Sequence, residues 1–349
     1  MVTKPYKVMI VEDSAYSREL LRSIIESDPE LKVIAMAENG EHALNLLENI
    51  QPDVITMDVN MPGIDGFETT RRIMVKKPIP VVIISAGCSP QNVHDSFRAM
   101  DAGALAILVK PIRSNEIYFH QKALEIINTI KVTAEVKLIT RRPKATSPKE
   151  IEEESLKLKG IGIFEAVAIG ASLGGPPAIE AILSNLPKNF PVPVFIVQHI
   201  VPGFSKGLVD WLNRTSRLPV SLGQDKEHAL PGHAYLAPDL AHMEVKPGNI
   251  ISLVTEKTTG LQPSVSRLFF SMANTHGPNC VGVLLTGMGR DGAAEMLLMR
   301  HRGAVTIAQD EGSCIVYGMP KEAVELGAVS KVLPLPQIAP TLVQLIDRL

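Results

Sequence analysis

"AVAIGASLGGPPAIE", residues 166–180, joins an apolar run, a serine between glycines and a double proline. The run ends at Gly170, and "PPAIEAILSNL" reads as a helix opened by Pro176 and Pro177, because proline is preorganised for a first helical turn. The stretch is therefore a strand, a tight turn and a helix. A dinucleotide fingerprint needs G-x-G-x-x-G, whereas Gly170, Gly174 and Gly175 are spaced G-x-x-x-G-G. A P-loop needs a lysine that is not there. Gly170-Ala171-Ser172-Leu173-Gly174 does satisfy G-x-S-x-G, the nucleophile elbow. Ser172 would then stand at the carboxyl end of a strand, beside a helix N-terminus that favours developing negative charge. On the motif alone, a plain structural turn stays open.

Outward from the elbow, the next apolar run, "VFIVQH", ends in His199, the only one of nine histidines at the end of a clear buried strand. Consecutive strands of a parallel βαβ unit are neighbours, so Ser172 and His199 would share one rim, as a serine and its base must. "VGVLLTGMGRDGA" is a third buried strand, a glycine-rich turn and Asp291 near a helix start. Asp291 is either a simple N-cap or the carboxylate that orients the imidazole. The order Ser–His–Asp differs from the Ser–Asp–His of α/β-hydrolases, which disfavours that topology. Residues 219–253 read as short strands and turns.

Residues 6–130 also alternate strands and helices. Strands are expected at 7–11, 32–36, 54–58, 81–85 and 106–109, with helices starting near Ser14 and Gly40. Five such units predict a doubly wound parallel sheet of order 2-1-3-4-5. Glu12 and Asp13 follow the first strand and Asp58 ends the third, so three carboxyls converge outside the strand ends. Such a cluster repels itself unless a cation neutralises it, and Mg2+ suits hard oxygen ligands. Asp58 could then attack a phosphoryl donor. Ser85 and Lys110, at the ends of the fourth and fifth strands, could offer a hydroxyl and a point charge to the new phosphate.

The chain has 349 residues, enough for two domains, and a formal net charge of -2, so no basic field points to nucleic acid. Cys88, Cys280 and Cys314 form no CxxC pair, which argues against a zinc site or a disulfide framework. No apolar run approaches a membrane span and the N-terminus is unlike a signal peptide, so a cytoplasmic protein that is not membrane-inserted is expected. From residue 131 charge, Pro and Ser rise, and residues 129–160 are expected to link a domain at 5–128 to one at 161–345.

"VED", "MDVNMPGIDG", "IISA" and "VKP" resemble the receiver domain of two-component response regulators. The resemblance implies a flavodoxin-like fold, Asp58 as phosphoacceptor, Glu12, Asp13 and Asp58 around Mg2+, Ser85 and Lys110 as switch residues, and a sensor histidine kinase as phosphodonor. Tyr118 lies beyond the fifth strand rather than within it, where the family often has an aromatic switch residue. "IGASLGG", "QHI", "APDLAH", "LTGMGRDGA" and "AQDEGSCIVYGMP" resemble the catalytic domain of chemotaxis protein-glutamate methylesterases, the CheB type. That resemblance implies a Rossmann-like three-layer domain that needs no cofactor for the ester chemistry. It makes Ser172 the nucleophile, His199 the base, Asp291 the orienter and the Met288 N–H an oxyanion donor. It implies methyl-accepting chemoreceptors as substrate, with deamidation of receptor glutamines as a possible second activity. One chain holding a switch and a hydrolase predicts that phosphorylation controls access to the serine. Leu173 and, in "PSVSRLF", Ser266 depart from the family pattern. A receiver with a catalytically weak binding module, or an esterase for another substrate, stays as the alternative.

Overall fold

The computed structural model describes residues 4–85, 102–111, 116–135, 164–200, 202–256 and 261–346. The chain divides into two compact units, residues 1–138 and 139–349.

The first unit runs β1 (Tyr6–Val11), α1 (Ala15–Ile25), β2 (Leu31–Ala37), α2 (Gly40–Leu46), β3 (Val54–Met57), α3 (Gly66–Lys76), β4 (Val81–Ser85), β5 (Ala106–Val109) and α4 (Glu116–Ala134). Its sheet has the order β2-β1-β3-β4-β5 with every pair parallel, as the alternating pattern predicts. The centre is dry: Met9, Ile55, Met57, Ile83 and Phe67 are buried together. The Ser14 hydroxyl accepts the Ser17 N–H at 3.3 Å and starts α1 as expected. At α2 the cap is Asn39, whose side chain accepts the His42 N–H at 2.8 Å, and Gly40 is the first helical residue. Glycine is required there by crowding, since a Cβ would lie 2.0 Å from Thr69 Oγ1.

Helix α4 continues to Ala134, beyond the expected domain end at 128. Its last turns bury Ile130 and Thr133, and Lys131 pairs with Asp28 at 3.3 Å and with Glu30. Lys131, at the start of the expected charged stretch, thus sits on a helix whose other side is buried. Residues 136–160 of the expected linker lie outside the described residues.

The second unit runs β6 (Ala166–Ala171), α5 (Gly175–Leu183), β7 (Val194–Gln198), α6 (Ser205–Thr215), β8 (Val220–Leu222), β9 (Ala234–Leu236), β10 (His242–Lys246), β11 (Ile250–Val254), α7 (Val265–Thr275), β12 (Cys280–Leu284), α8 (Ala293–His301), β13 (Val305–Gln309), α9 (Met319–Glu325), β14 (Lys331–Leu333) and α10 (Leu335–Ile346). Seven parallel strands follow the order β14-β13-β12-β6-β7-β9-β8. Every residue of β6, β7, β12 and β13 is buried, as strands covered on both faces require. The middle segment supplies two short sheet strands and an antiparallel hairpin, β10–β11. β6 has β7 on one side and β12 on the other, so the chain leaves it one way and returns on the opposite side. Ligands bind outside strand ends at such a reversal. Among the described residues no helix is long and apolar enough to cross a membrane.

Candidate active site and phosphoryl-acceptor site

In the second unit the elbow forms as its residues dictate. Ser172 follows β6, its N–H donates to Thr286 O at 3.0 Å, and its carbonyl accepts the Gly175 N–H at 2.9 Å. Gly174 takes φ +75°, and a Cβ there would lie 2.6 Å from Ile315, so both conformation and space demand glycine. α5 begins at once, with proline in its first turn and no side-chain cap.

His199 follows β7, and its N–H donates to Ala171 O at 3.0 Å, which ties it to the end of the elbow strand. Its Nε2 lies 2.7 Å from Asp291 Oδ2. Asp291 in turn holds the start of α7. Its Oδ1 accepts from the Ser264 hydroxyl at 2.9 Å and the Ser266 N–H at 3.0 Å, and its Oδ2 accepts from the Val265 N–H at 2.7 Å. Burial opposes the charge, but hydrogen bonds from His199 and Ser266 and the nearby imidazole hold the carboxyl well below its usual range. The strand ends of β6, β7 and β12 thus bring Ser172, His199 and Asp291 to one rim. Met288 lies on the β12–α8 loop, 45% exposed, and its N–H has no protein acceptor among the described residues.

Four residues that sequence reasoning did not single out build this rim. Buried Gln198 donates through Nε2 to Ser172 O at 2.7 Å and to His199 O at 2.8 Å. Thr286, also buried, presents its hydroxyl to Leu173 O at 2.9 Å and accepts the Val316 N–H at 2.8 Å. Gln309 Oε1 accepts the Thr286 N–H at 2.9 Å. Each is a polar residue closing an apolar strand run, which is the signal that could have found them. The fourth is Gly287, where a Cβ would lie 2.7 Å from Ser172 Cβ and 2.4 Å from Met319 Sδ. Gly287→Ala should therefore displace Ser172 and lower any hydrolytic rate that depends on its hydroxyl about 100-fold. Methanol release, measured beside phosphoryl uptake on the same sample, checks this; a rate within threefold of wild type would refute the steric argument. Burial pushes the thiols of Cys280 and Cys314 up to about 12, so neither offers a competing nucleophile.

In the first unit Glu12, Asp13 and Asp58 present carboxylate oxygens all within 4.8 Å of one another. Glu12 and Asp58 are buried, and Asp13 is exposed. Lys110 Nζ lies 2.7 Å from Glu12 Oε2 and 2.9 Å from Asp58 Oδ2. Burial pushes the Glu12 carboxyl up against the pull of Lys110; burial also works against the Lys110 charge, but the two carboxylates hold its pKa above the usual lysine value. Three carboxylates facing one ammonium leave room in charge for a divalent cation, so the donor set fits Mg2+. Asp58 Oδ1 accepts the Val59 N–H at 2.8 Å, and Ser85 is buried at the end of β4, where its carbonyl accepts the Lys110 N–H at 3.1 Å. Tyr118 lies on α4, 40% exposed.

Residues 167–342 match the family of CheB methylesterases and residues 8–121 match the response regulator receiver domain. Protein-glutamate methylesterase/protein-glutamine glutaminase 1 of Syntrophus aciditrophicus is 48% identical over 97% of this chain and 98% of its own length. The Nitrosospira multiformis protein of the same description is 46% identical over 97% of this chain and 96% of its own length. The crystal structure of the Thermotoga maritima CheB methylesterase catalytic domain superposes with a TM-score of 0.51 at 37% identity, covering 53% of this chain and all (100%) of that one. A chain with this elbow, this rim and an acidic cluster at the end of a 2-1-3-4-5 sheet therefore belongs to the CheB methylesterase family, with a response regulator receiver domain ahead of the esterase domain.

Proposed function

We propose that this chain is a cytoplasmic, phosphorylation-controlled serine hydrolase that removes methyl groups from glutamyl methyl esters of chemoreceptors. The relatives' description as protein-glutamate methylesterase/protein-glutamine glutaminase supports both that substrate and deamidation of glutamine side chains. The observation that carries the chemistry is the 2.7 Å contact between His199 Nε2 and Asp291 on the rim that holds Ser172.

With Nε2 facing the carboxylate, Nδ1 is the ring atom left to work as base. Ser172 Oγ attacks the ester carbonyl and its proton passes to His199 Nδ1. The oxyanion is held by the backbone N–H of Met288 and, as in other elbows, that of Leu173 after the nucleophile. Collapse breaks the bond to the methoxy oxygen, which leaves as methanol with the His199 proton. Water then gives a proton to His199 and attacks the glutamyl-serine ester, and Ser172 recovers its proton as the glutamate carboxylate departs. A glutamine side chain follows the same path with ammonia as the leaving group. Leu173 contributes its backbone alone to this scheme.

In the first unit Asp58 accepts the phosphoryl group of a sensor histidine kinase or small donor, with Glu12, Asp13 and Asp58 holding Mg2+. The cation supplies charge neutralisation to the phosphoryl oxygens. Lys110 supplies a point charge and Ser85 a hydroxyl to the aspartyl phosphate. The first unit is the switch, and the second does the ester chemistry.

Methanol release from methylated receptor membranes, with and without a small phosphodonor and Mg2+, tests the coupling. Wild type should be stimulated at least about tenfold, as expected for a charge-driven switch. Asp58→Asn should keep the basal rate and lose the stimulation. Equal stimulation of both proteins would overturn the assignment of Asp58.

A further inference from the structure

The surroundings of Ser266 give it work to do. It sits in the first turn of α7, and its N–H donates to Asp291 Oδ1 at 3.0 Å. Its hydroxyl accepts the Gly292 N–H at 2.9 Å and donates to Glu295 Oε2 at 2.5 Å. Gly292 is the N-cap of α8, buried, with φ +84°, and Glu295 lies in that helix's first turn. A helix cannot satisfy its own first N–H groups. Here two helices cap each other: Asp291, on the loop into α8, takes the first N–H groups of α7, and Ser266, in α7, takes the N–H that opens α8.

A serine hydroxyl has one proton and two lone pairs. Glu295 takes the proton, which fixes the rotor and aims a lone pair at Gly292 N–H. The peptide after Asp291 is thereby clamped, and with it the direction of the carboxylate that faces His199. Val265 closes the clamp from the other side, since a Cβ on Gly292 would lie 2.4 Å from its Cγ1.

We infer that Ser266, with its proton held by Glu295, is a positioning residue for the hydrolysis, acting on His199 through the reciprocal cap that orients Asp291. The inference rests on the Ser172–His199–Asp291 reading. Ser266→Ala leaves Gly292 N–H without its acceptor and lets the Asp291 turn relax. Glu295→Ala keeps the hydroxyl but frees its rotor. Ser266→Thr keeps the hydroxyl in place.

The experiment measures kcat and KM for methanol release from methylated receptor membranes with the full chain, in wild type, Ser172→Ala, Ser266→Ala, Ser266→Thr and Glu295→Ala. Ser266→Ala should lower kcat about tenfold with KM within twofold, Glu295→Ala about threefold, and Ser266→Thr should restore at least half of wild type, the scale expected for misaligned catalytic groups. Circular dichroism reports that each variant is folded and phosphoryl uptake at Asp58 that its first unit is intact; should Ser266→Ala fail to fold, Glu295→Ala and Ser266→Thr decide. Wild-type kcat in folded Ser266→Ala and Glu295→Ala, with only the melting temperature lowered, would overturn the inference. Activity surviving in Ser172→Ala would instead overturn the triad itself.

Discussion

Ser172→Ala is expected to lower methanol release from methylated receptors by at least about 10^4-fold while phosphoryl uptake at Asp58 stays at the wild-type level. The separation follows from what Ser172 contributes to structure. Its N–H and carbonyl hold Thr286, Gly175 and Gln198, and these backbone and side-chain partners are unaffected by loss of the hydroxyl. Stability should therefore stay within about 0.5 kcal/mol of wild type, as for a substitution that removes no packing. The described thiols are pushed up by burial, and the Thr286 hydroxyl is already engaged with Leu173 and Val316, so neither replaces the serine. A rate above about one hundredth of wild type would mean that the elbow is only a turn.

Asp291→Asn should cost nearly as much activity and, unlike the serine change, also stability. Every group around the carboxylate except the imidazole is fixed as a donor: the Ser266 and Val265 N–H groups, with the Ser264 hydroxyl turned toward it. An amide replaces one acceptor by a donor, so one of these contacts becomes donor against donor whichever way it is turned. If its NH2 faces His199, the ring must accept at Nε2 and carry its proton on Nδ1, the atom that has to receive the serine proton. Loss of rate by about 10^4-fold is expected from such a wrong tautomer. The unmet donors at the start of α7 should cost about 1–3 kcal/mol of folding stability. Steady-state methanol release and urea denaturation read the two effects separately, and a variant with near wild-type kcat would rule out Asp291 as orienter.

The same carboxyl sets an acid-side dependence. Its pKa is lowered in the folded chain, so its contribution is fully present above the unfolded value near 4 and is lost as pH falls toward the lower folded value. Wild type should therefore lose stability in this window more steeply than Asp291→Asn.

The five strands of the first unit and the central β6, β7 and β12 of the second were legible as short apolar runs cut by turns, and those three central strands are buried along their whole length. The candidate residues were legible because Ser172 and His199 directly follow such strands and Asp291 lies on the glycine-rich loop after a third. The end of the first unit's last helix was not, because the exposed charge of Lys131, paired with Asp28 and Glu30 on the turn between α1 and β2, stands beside the buried Ile130 and Thr133. The caps of Asp291 were invisible for another reason. Ser264, Val265 and Ser266 lie far from Asp291 along the chain, and nothing local in "PSVSRLF" marks its N–H groups as partners of a loop that follows a later strand. Gln198, Thr286 and Gln309 each ended an apolar run in plain view, but a polar residue there is as well explained by solvent until the sheet order places the ends of β7, β12 and β13 around that of β6.

The position of β6 between β7 and β12 has a consequence for how the protein is made. As the chain leaves the ribosome, the strand before the serine finds β7 soon after, but its other edge stays unpaired until β12 has been synthesised. An open, apolar strand edge in the middle of a future sheet invites pairing with the wrong chain. It also means that the nucleophile and its base exist well before the carboxylate that orients them. Esterase competence is therefore a late event of folding, reached only when the last strands dock, and a chain interrupted before β12 would carry a receiver but no working hydrolase.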